Sequence, residues 1–121
     1  MITLEAYNAF CATLPHTHKV VQWGGAHVWK VDTKVFAIGG WSQGEQFAVT
    51  FKRSPESYDI MKEQPGLRPA PYLASRGMKW IQVYEQGALD EEGIKLYLTQ
   101  SHRLASLNLT RKRQKELGLN Q

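Results

Sequence analysis

The stretch that most restricts this chain is Pro65-Gly66-Leu67-Arg68-Pro69-Ala70-Pro71. Each proline removes a backbone donor and locks φ, and the glycine adds a point of free rotation, so no helix can cross the segment. The reading from sequence is a shaped loop with no regular structure. It separates a helix, four strands and a second helix before it from a strand and two helices after it.

In the front half, Thr3 offers an N-cap, and Tyr7, Phe10, Cys11 and Leu14 follow at the spacing of one buried helical stripe, stopped by Pro15. Residues 19–52 then change texture, with runs rich in Val, Trp and Phe separated by Gly24-Gly25, Asp32-Thr33 and the glycines of 39–44. That pattern predicts an antiparallel meander with strands at 20–23, 27–31, 35–39 and 46–52. In the last of these Phe47, Val49 and Phe51 alternate with Ala48 and Thr50. Ser54-Pro55-Glu56 combines a capping hydroxyl, a proline suited to the first helical position and an early acid, and opens a helix over 54–63. Beyond the proline segment, 79–85 reads as a strand. Asp90 caps a helix that carries Ile94, Tyr97, Leu98 and Ala105 on one face, and Thr110 opens a short helix ended by Gly118.

The order α-β4-α-β-α-α predicts an α+β fold in two layers, an antiparallel sheet of about five strands with helices packed on one face. At 121 residues, without repeats or linker-like tracts, the chain is expected to form a single domain over 1–121.

Its chemistry-bearing residues are sparse. The lone Cys11 forbids an internal disulfide and lies on the apolar stripe of the first helix, where packing accounts for it. Of His16, His18, His27 and His102 only the first two are near neighbours, and two ligands do not make a zinc site, so neither metal nor cofactor is expected. Gly39-Gly40-Trp41-Ser42-Gln43-Gly44 lacks the lysine and hydroxyl of a phosphate loop, having Glu45 and Gln46 next. Trp23, Trp29, Trp41 and Trp80 are mostly core, with one or two available to a binding surface. No nucleophile sits beside a base, so the chain is expected not to be an enzyme. No apolar run reaches the length of a bilayer crossing, which argues against a membrane partner and for the cytoplasm.

Fifteen Lys and Arg against eleven Asp and Glu give a net charge of +4 and favour anionic partners. Arg103, Arg111, Lys112, Arg113 and Lys115 crowd the last twenty residues, opposed there only by Glu116.

Gln64-Pro65-Gly66-Leu67-Arg68-Pro69-Ala70-Pro71-Tyr72-Leu73 resembles the signature of the MmcQ/YjbR family. Further landmarks agree in order: Phe10-Cys11 with Leu14-Pro15, Trp23-Gly24, Val28-Trp29-Lys30-Val31, Lys34-Val35-Phe36-Ala37, Phe51-Lys52, Lys79-Trp80, Ser101-His102 and Lys112-Arg113 with Lys115-Glu116-Leu117-Gly118-Leu119. The chain departs from the family pattern at His16, at His18-Lys19 and at the Asp32-Thr33 turn. The resemblance implies a two-layer α+β fold likened to frataxin-like and secretion-chaperone-like folds, and a DNA-binding role with hairpin-like wings on the duplex.

Two readings of function follow. In the first, Lys52, Arg53, Arg68, Arg76, Lys79, Arg111, Lys112, Arg113 and Lys115 contact the phosphates of duplex DNA without reading sequence. In the second, the proline loop and sheet face form an interaction module for another protein or a small ligand. There Arg68 is a fork for an anion between Tyr72 and Trp80, or else only ties the loop to a neighbouring group. The chain itself is expected to be a monomer or a weak dimer.

Overall fold

Local capping signals set where each helix begins. In the computed structural model, which describes residues 2–40, 47–73, 76–85 and 87–121, helix α1 (Leu4–Thr13) starts where Thr3 Oγ1 accepts the Ala6 N–H at 3.1 Å. Helix α2 (Pro55–Met61) has Ser54 as its cap and Pro55 in its first turn, and ends slightly before residue 63. Helix α3 (Glu91–Ser106) is capped by Asp90, which accepts from Gly93 N–H at 2.7 Å. Helix α4 (Arg111–Leu117) is capped by Thr110 and closed by Gly118 in the left-handed conformation.

The strands are β1 (Thr17–Gln22), β2 (Ala26–Val31), β3 (Lys34–Gly39), β4 (Val49–Lys52), β5 (Leu67–Pro69) and β6 (Trp80–Val83). They form one antiparallel sheet in the order β1-β2-β3-β4-β6-β5. The fold is thus α+β as the sequence indicates, with six strands rather than about five.

The additional strand comes from the proline segment itself, which corrects its reading as irregular loop. Leu67, Arg68 and Pro69 pair with Val83, Gln82 and Ile81. This is possible because β5 lies at the sheet edge, where a proline nitrogen can face away from the ladder. The first strand begins at Thr17 instead of 20, and Trp23 belongs to the turn, with φ 55° ahead of Gly24 and Gly25. Trp41 and the start of the expected 46–52 strand lie outside the described residues, and β4 runs Val49–Lys52.

Strand alternation divides the buried side chains between two faces. Trp29, Val31, Val49, Phe51, Ile81 and Val83 meet Tyr7, Cys11, Ile94, Leu98 and Ala105 of α1 and α3 in the main core. An irregularity in the β2–β3 register beside Trp29 and Lys30 lets the consecutive Phe36 and Ala37 both join it. Helix α1 comes so near β3 that a Cβ on Gly39 would stand 2.6 Å from Tyr7 Cε2. On the opposite face Ala26, Val28, Ile38 and Trp80 form a second cluster, covered by Ala70 and Leu73 of the segment after β5. Leu109 and Leu119, on either side of α4, both reach the main core and dock that short helix, supplying the tertiary support its few apolar residues require.

Candidate functional site

None of the six strands contains an Asp or a Glu, while they carry Lys19, Lys30, Lys34, Lys52 and Arg68. Period-two alternation sends Lys30, Lys52 and Arg68 to the face away from the helices, the side of Val28, Trp80 and Ala70. The middle of that face is occupied by the second apolar cluster, so the cations stand around its rim.

At one corner of the rim Arg68 is engaged within the sheet. Its Nε and Nη2 donate to Gln82 Oε1 at 2.8 and 2.6 Å, and Gln82 Nε2 donates to Thr50 Oγ1 at 3.2 Å. The guanidinium also lies 4.6 Å from the centre of the Tyr84 ring. A polar row thus crosses β5, β6 and β4, and Arg68 secures the proline-bearing edge strand.

At the end of the sheet marked by the β2–β3 turn the arrangement differs. Lys30 and Lys34 flank that turn, and Lys52, half-buried at the end of β4, holds its Nζ 5.9 Å from the Trp80 ring. Burial, and then the nearby Lys34 ammonium, hold the Lys52 amine below its ordinary pKa. Among the described residues Lys30, Lys34, Lys52 and Lys79 have no salt bridge to a carboxylate. Lys79, exposed one residue before β6, instead holds its Nζ 4.9 Å from the Tyr58 ring of α2, on the side of Arg53, whose N–H its carbonyl accepts at 2.9 Å. Lys30 and Lys34 were not singled out by sequence reasoning. Their signal is the Val28-x-Lys30 alternation followed by a tight turn.

The C-terminal basic run reaches the same end of the molecule. Arg113 donates Nη2 and Nε to the two carboxylate oxygens of Asp32 at 2.9 and 3.3 Å, and Nη1 to Glu116 at 3.3 Å. The Arg113 hydrogen bond holds the Asp32 carboxyl below its usual range. Since Asp32 is in the β2–β3 turn, the pair pins α4 beside Lys30 and Lys34, with Arg111, Lys112 and Lys115 exposed. Arg113 itself is neutralised.

Two further expected contacts lie elsewhere. Arg53 follows Lys52 but turns to the helical side and is 7% exposed. Arg76 lines a cavity of about 500 Å³ with Trp23, Tyr72 and Leu73. Trp23 and Tyr72 are 51% and 68% exposed, and both have left-handed backbones. The expected pocket of Arg68, Tyr72 and Trp80 is not assembled among the described residues: Arg68 is bonded to Gln82, Trp80 is buried under the segment after β5, and Tyr72 faces Trp23 and Arg76.

No group of three His, Cys, Asp or Glu suited to a metal occurs among the described residues. Cys11 is buried, and burial pushes its thiol far above the ordinary value. No helix among the described residues is long and apolar enough to cross a membrane.

A family model described as YjbR matches residues 12–104. Of the solved structures, the Deinococcus radiodurans protein DR2400, with domain DUF419, superposes with a TM-score of 0.84 at 23% identity, covering 98% of this chain and 90% of that one. A Pseudomonas syringae protein superposes with a TM-score of 0.69 at 18% identity, covering 86% of this chain and 99% of that one. These two likenesses establish the shared fold. No curated protein matches the sequence.

Proposed function

The chain belongs to the YjbR family, and from that premise we propose that it is a binding protein, not an enzyme, which holds duplex DNA by its phosphates. The contact surface is the end of the sheet at the β2–β3 turn, with Lys30, Lys34 and Lys52, extended by Arg111, Lys112 and Lys115 of α4. One observation carries the reading: this is a cluster of like charges without carboxylate partners among the described residues, in which Lys34 already weighs against the charged form of Lys52. A phosphate placed between the two amines relieves that repulsion. Contacts of this kind give affinity without base readout, and they release counterions.

Titrating a labelled duplex with protein at a series of salt concentrations tests the proposal. Binding at low salt should weaken linearly on logarithmic axes. Lys34→Gln with Lys52→Gln should lower the slope by about 2, since each neutralised phosphate supplies roughly 0.9 of it. No binding at low salt, or a double variant with wild-type slope and affinity, overturns it.

The cavity of Trp23, Tyr72, Leu73 and Arg76 favours a second reading, a small ligand with a flat apolar body and an anionic group. Two exposed aromatic residues on left-handed backbones are costly to maintain, and such strain concentrates at binding sites. A chain that fails to bind duplex at any salt concentration leaves this as the reading to pursue.

A further inference from the structure

Arg53 is an arginine whose charge has been taken out of water and given only neutral company. Its Nε donates to Ser57 Oγ at 3.0 Å and its Nη2 to Gln100 Oε1 at 2.8 Å, and the guanidinium stacks 4.7 Å from the Tyr97 ring. Nη1 is buried without a hydrogen-bond partner. Among the described residues no carboxylate forms a salt bridge with it. A buried cation without a counter-charge is strongly disfavoured, and burial does pull this guanidinium below its ordinary pKa.

Beside it opens a cavity of about 370 Å³ lined by Arg53, Ser54, Gln100, Arg103, Leu104 and Leu107. Arg103 is exposed in the last turn of α3 and also lacks an acidic partner among the described residues. Ser54 Oγ accepts the Ser57 N–H at 3.3 Å, which leaves its own proton free to be donated. Two arginines, a serine and a glutamine therefore line one space, with two leucines as an apolar wall.

We propose that this cavity is an oxyanion site that takes a phosphoryl group, held between Arg53 and Arg103 with Ser54 donating, while Leu104 and Leu107 pack against whatever carries the phosphate. Paired guanidinium forks suit the several acceptor oxygens of a phosphoryl group. A purely structural Arg53, tying β4 to α2 and α3, needs neither a second arginine at the opening nor an unsatisfied Nη1. The site is on the helical side of the sheet, so it stands apart from the lysine cluster proposed to meet DNA. The phosphoryl group could be that of a small phosphomonoester or of a nucleic-acid backbone.

The test is thermal unfolding of the full chain in millimolar inorganic phosphate and phenyl phosphate, each compared with chloride at matched ionic strength. Both anions should raise the midpoint, phenyl phosphate more. Arg103→Gln, at an exposed position that leaves the core intact, should weaken the apparent affinity at least about tenfold, the size of one charge-assisted hydrogen bond. Lys19→Gln, an exposed charge removed from the distant edge strand β1, should leave the response unchanged. Absence of a phosphate-specific rise, or an equal rise in Arg103→Gln, overturns the proposal. Given the rise, loss of duplex binding in Arg103→Gln assigns the phosphoryl group to the nucleic-acid backbone, and retained duplex binding assigns it to a small phosphomonoester. Failure of duplex binding in every variant, with the phosphate response intact, sinks the DNA reading and leaves this site standing.

Discussion

His102 illustrates how one buried side chain can set a pH dependence. It is 7% exposed, Nε2–H donates to the Pro15 carbonyl at 2.8 Å, and its ring meets Phe36 edge-on at 5.3 Å. Loss of solvent lowers its pKa most, the bond to Pro15 opposes that, and His16 adds a smaller downward push. The native pKa is therefore below the ordinary 6.5. As pH falls through 6.5 the unfolded chain takes up this proton while the native one stays neutral. The contribution of His102 to stability should be flat above that value, decline below it, and level off under the native pKa. Urea midpoints across this range, compared with His102→Gln, should show the decline in the wild type and a shallower one in the variant. At this scale the sequence was only partly legible. Cys11 could be placed in the core from helical spacing alone, whereas the partner of His102 is 87 positions away and nothing local announces it. The surroundings of Arg53 were hidden for the same reason: its neighbours Gln100 and Tyr97 come from a distant helix, and adjacency to Lys52 does not show that alternation puts the two side chains on opposite faces.

Among the elements, helices were legible and one strand was not, because caps are local and pairing is not. Thr3, Ser54, Asp90 and Thr110 each satisfy a backbone donor three residues on, within reach of any reader of the sequence. Strand β5 exists only because β6 returns beside it, with Arg68 bonded to Gln82 fourteen positions later. Gly66 is what lets the chain enter β5: its φ is 81°, and a Cβ there would stand 2.5 Å from Ala88 Cβ and 3.2 Å from Glu85 Cβ. Gly66→Ala combines backbone strain with overpacking and should cost on the order of 2 to 4 kcal/mol. Chemical denaturation should give a lower midpoint with unchanged m, since the surface exposed on unfolding is the same. A midpoint within error of wild type would mean that the loop before β5 adapts freely.

For the whole molecule, the useful quantity is where charge lies, not how much there is. A net charge of +4 is modest, yet among the described residues no carboxylate lies in a strand, while the strands carry five Lys and Arg side chains. The sequence revealed the excess and the basic tail. It did not reveal that Asp32 fastens the tail to the β2–β3 turn, since that contact spans 81 positions. If the tail and the sheet lysines touch one duplex, Arg111→Gln, Lys112→Gln and Lys115→Gln together should lower the salt slope by up to about 3, and the effect should add to that of the lysine pair. Additivity would be read from the same anisotropy titrations. A slope unchanged by the tail substitutions would confine the footprint to the sheet.

The end of β4 has one more implication. Lys52 and Arg53 are consecutive, yet one amine belongs to the loop-covered face and the other guanidinium to the helical side. Their addresses depend on parity alone. Removing a single residue between Val49 and Lys52 would exchange them, swinging the arginine outward and burying the lysine beneath Tyr97, with the composition of the strand almost unaltered.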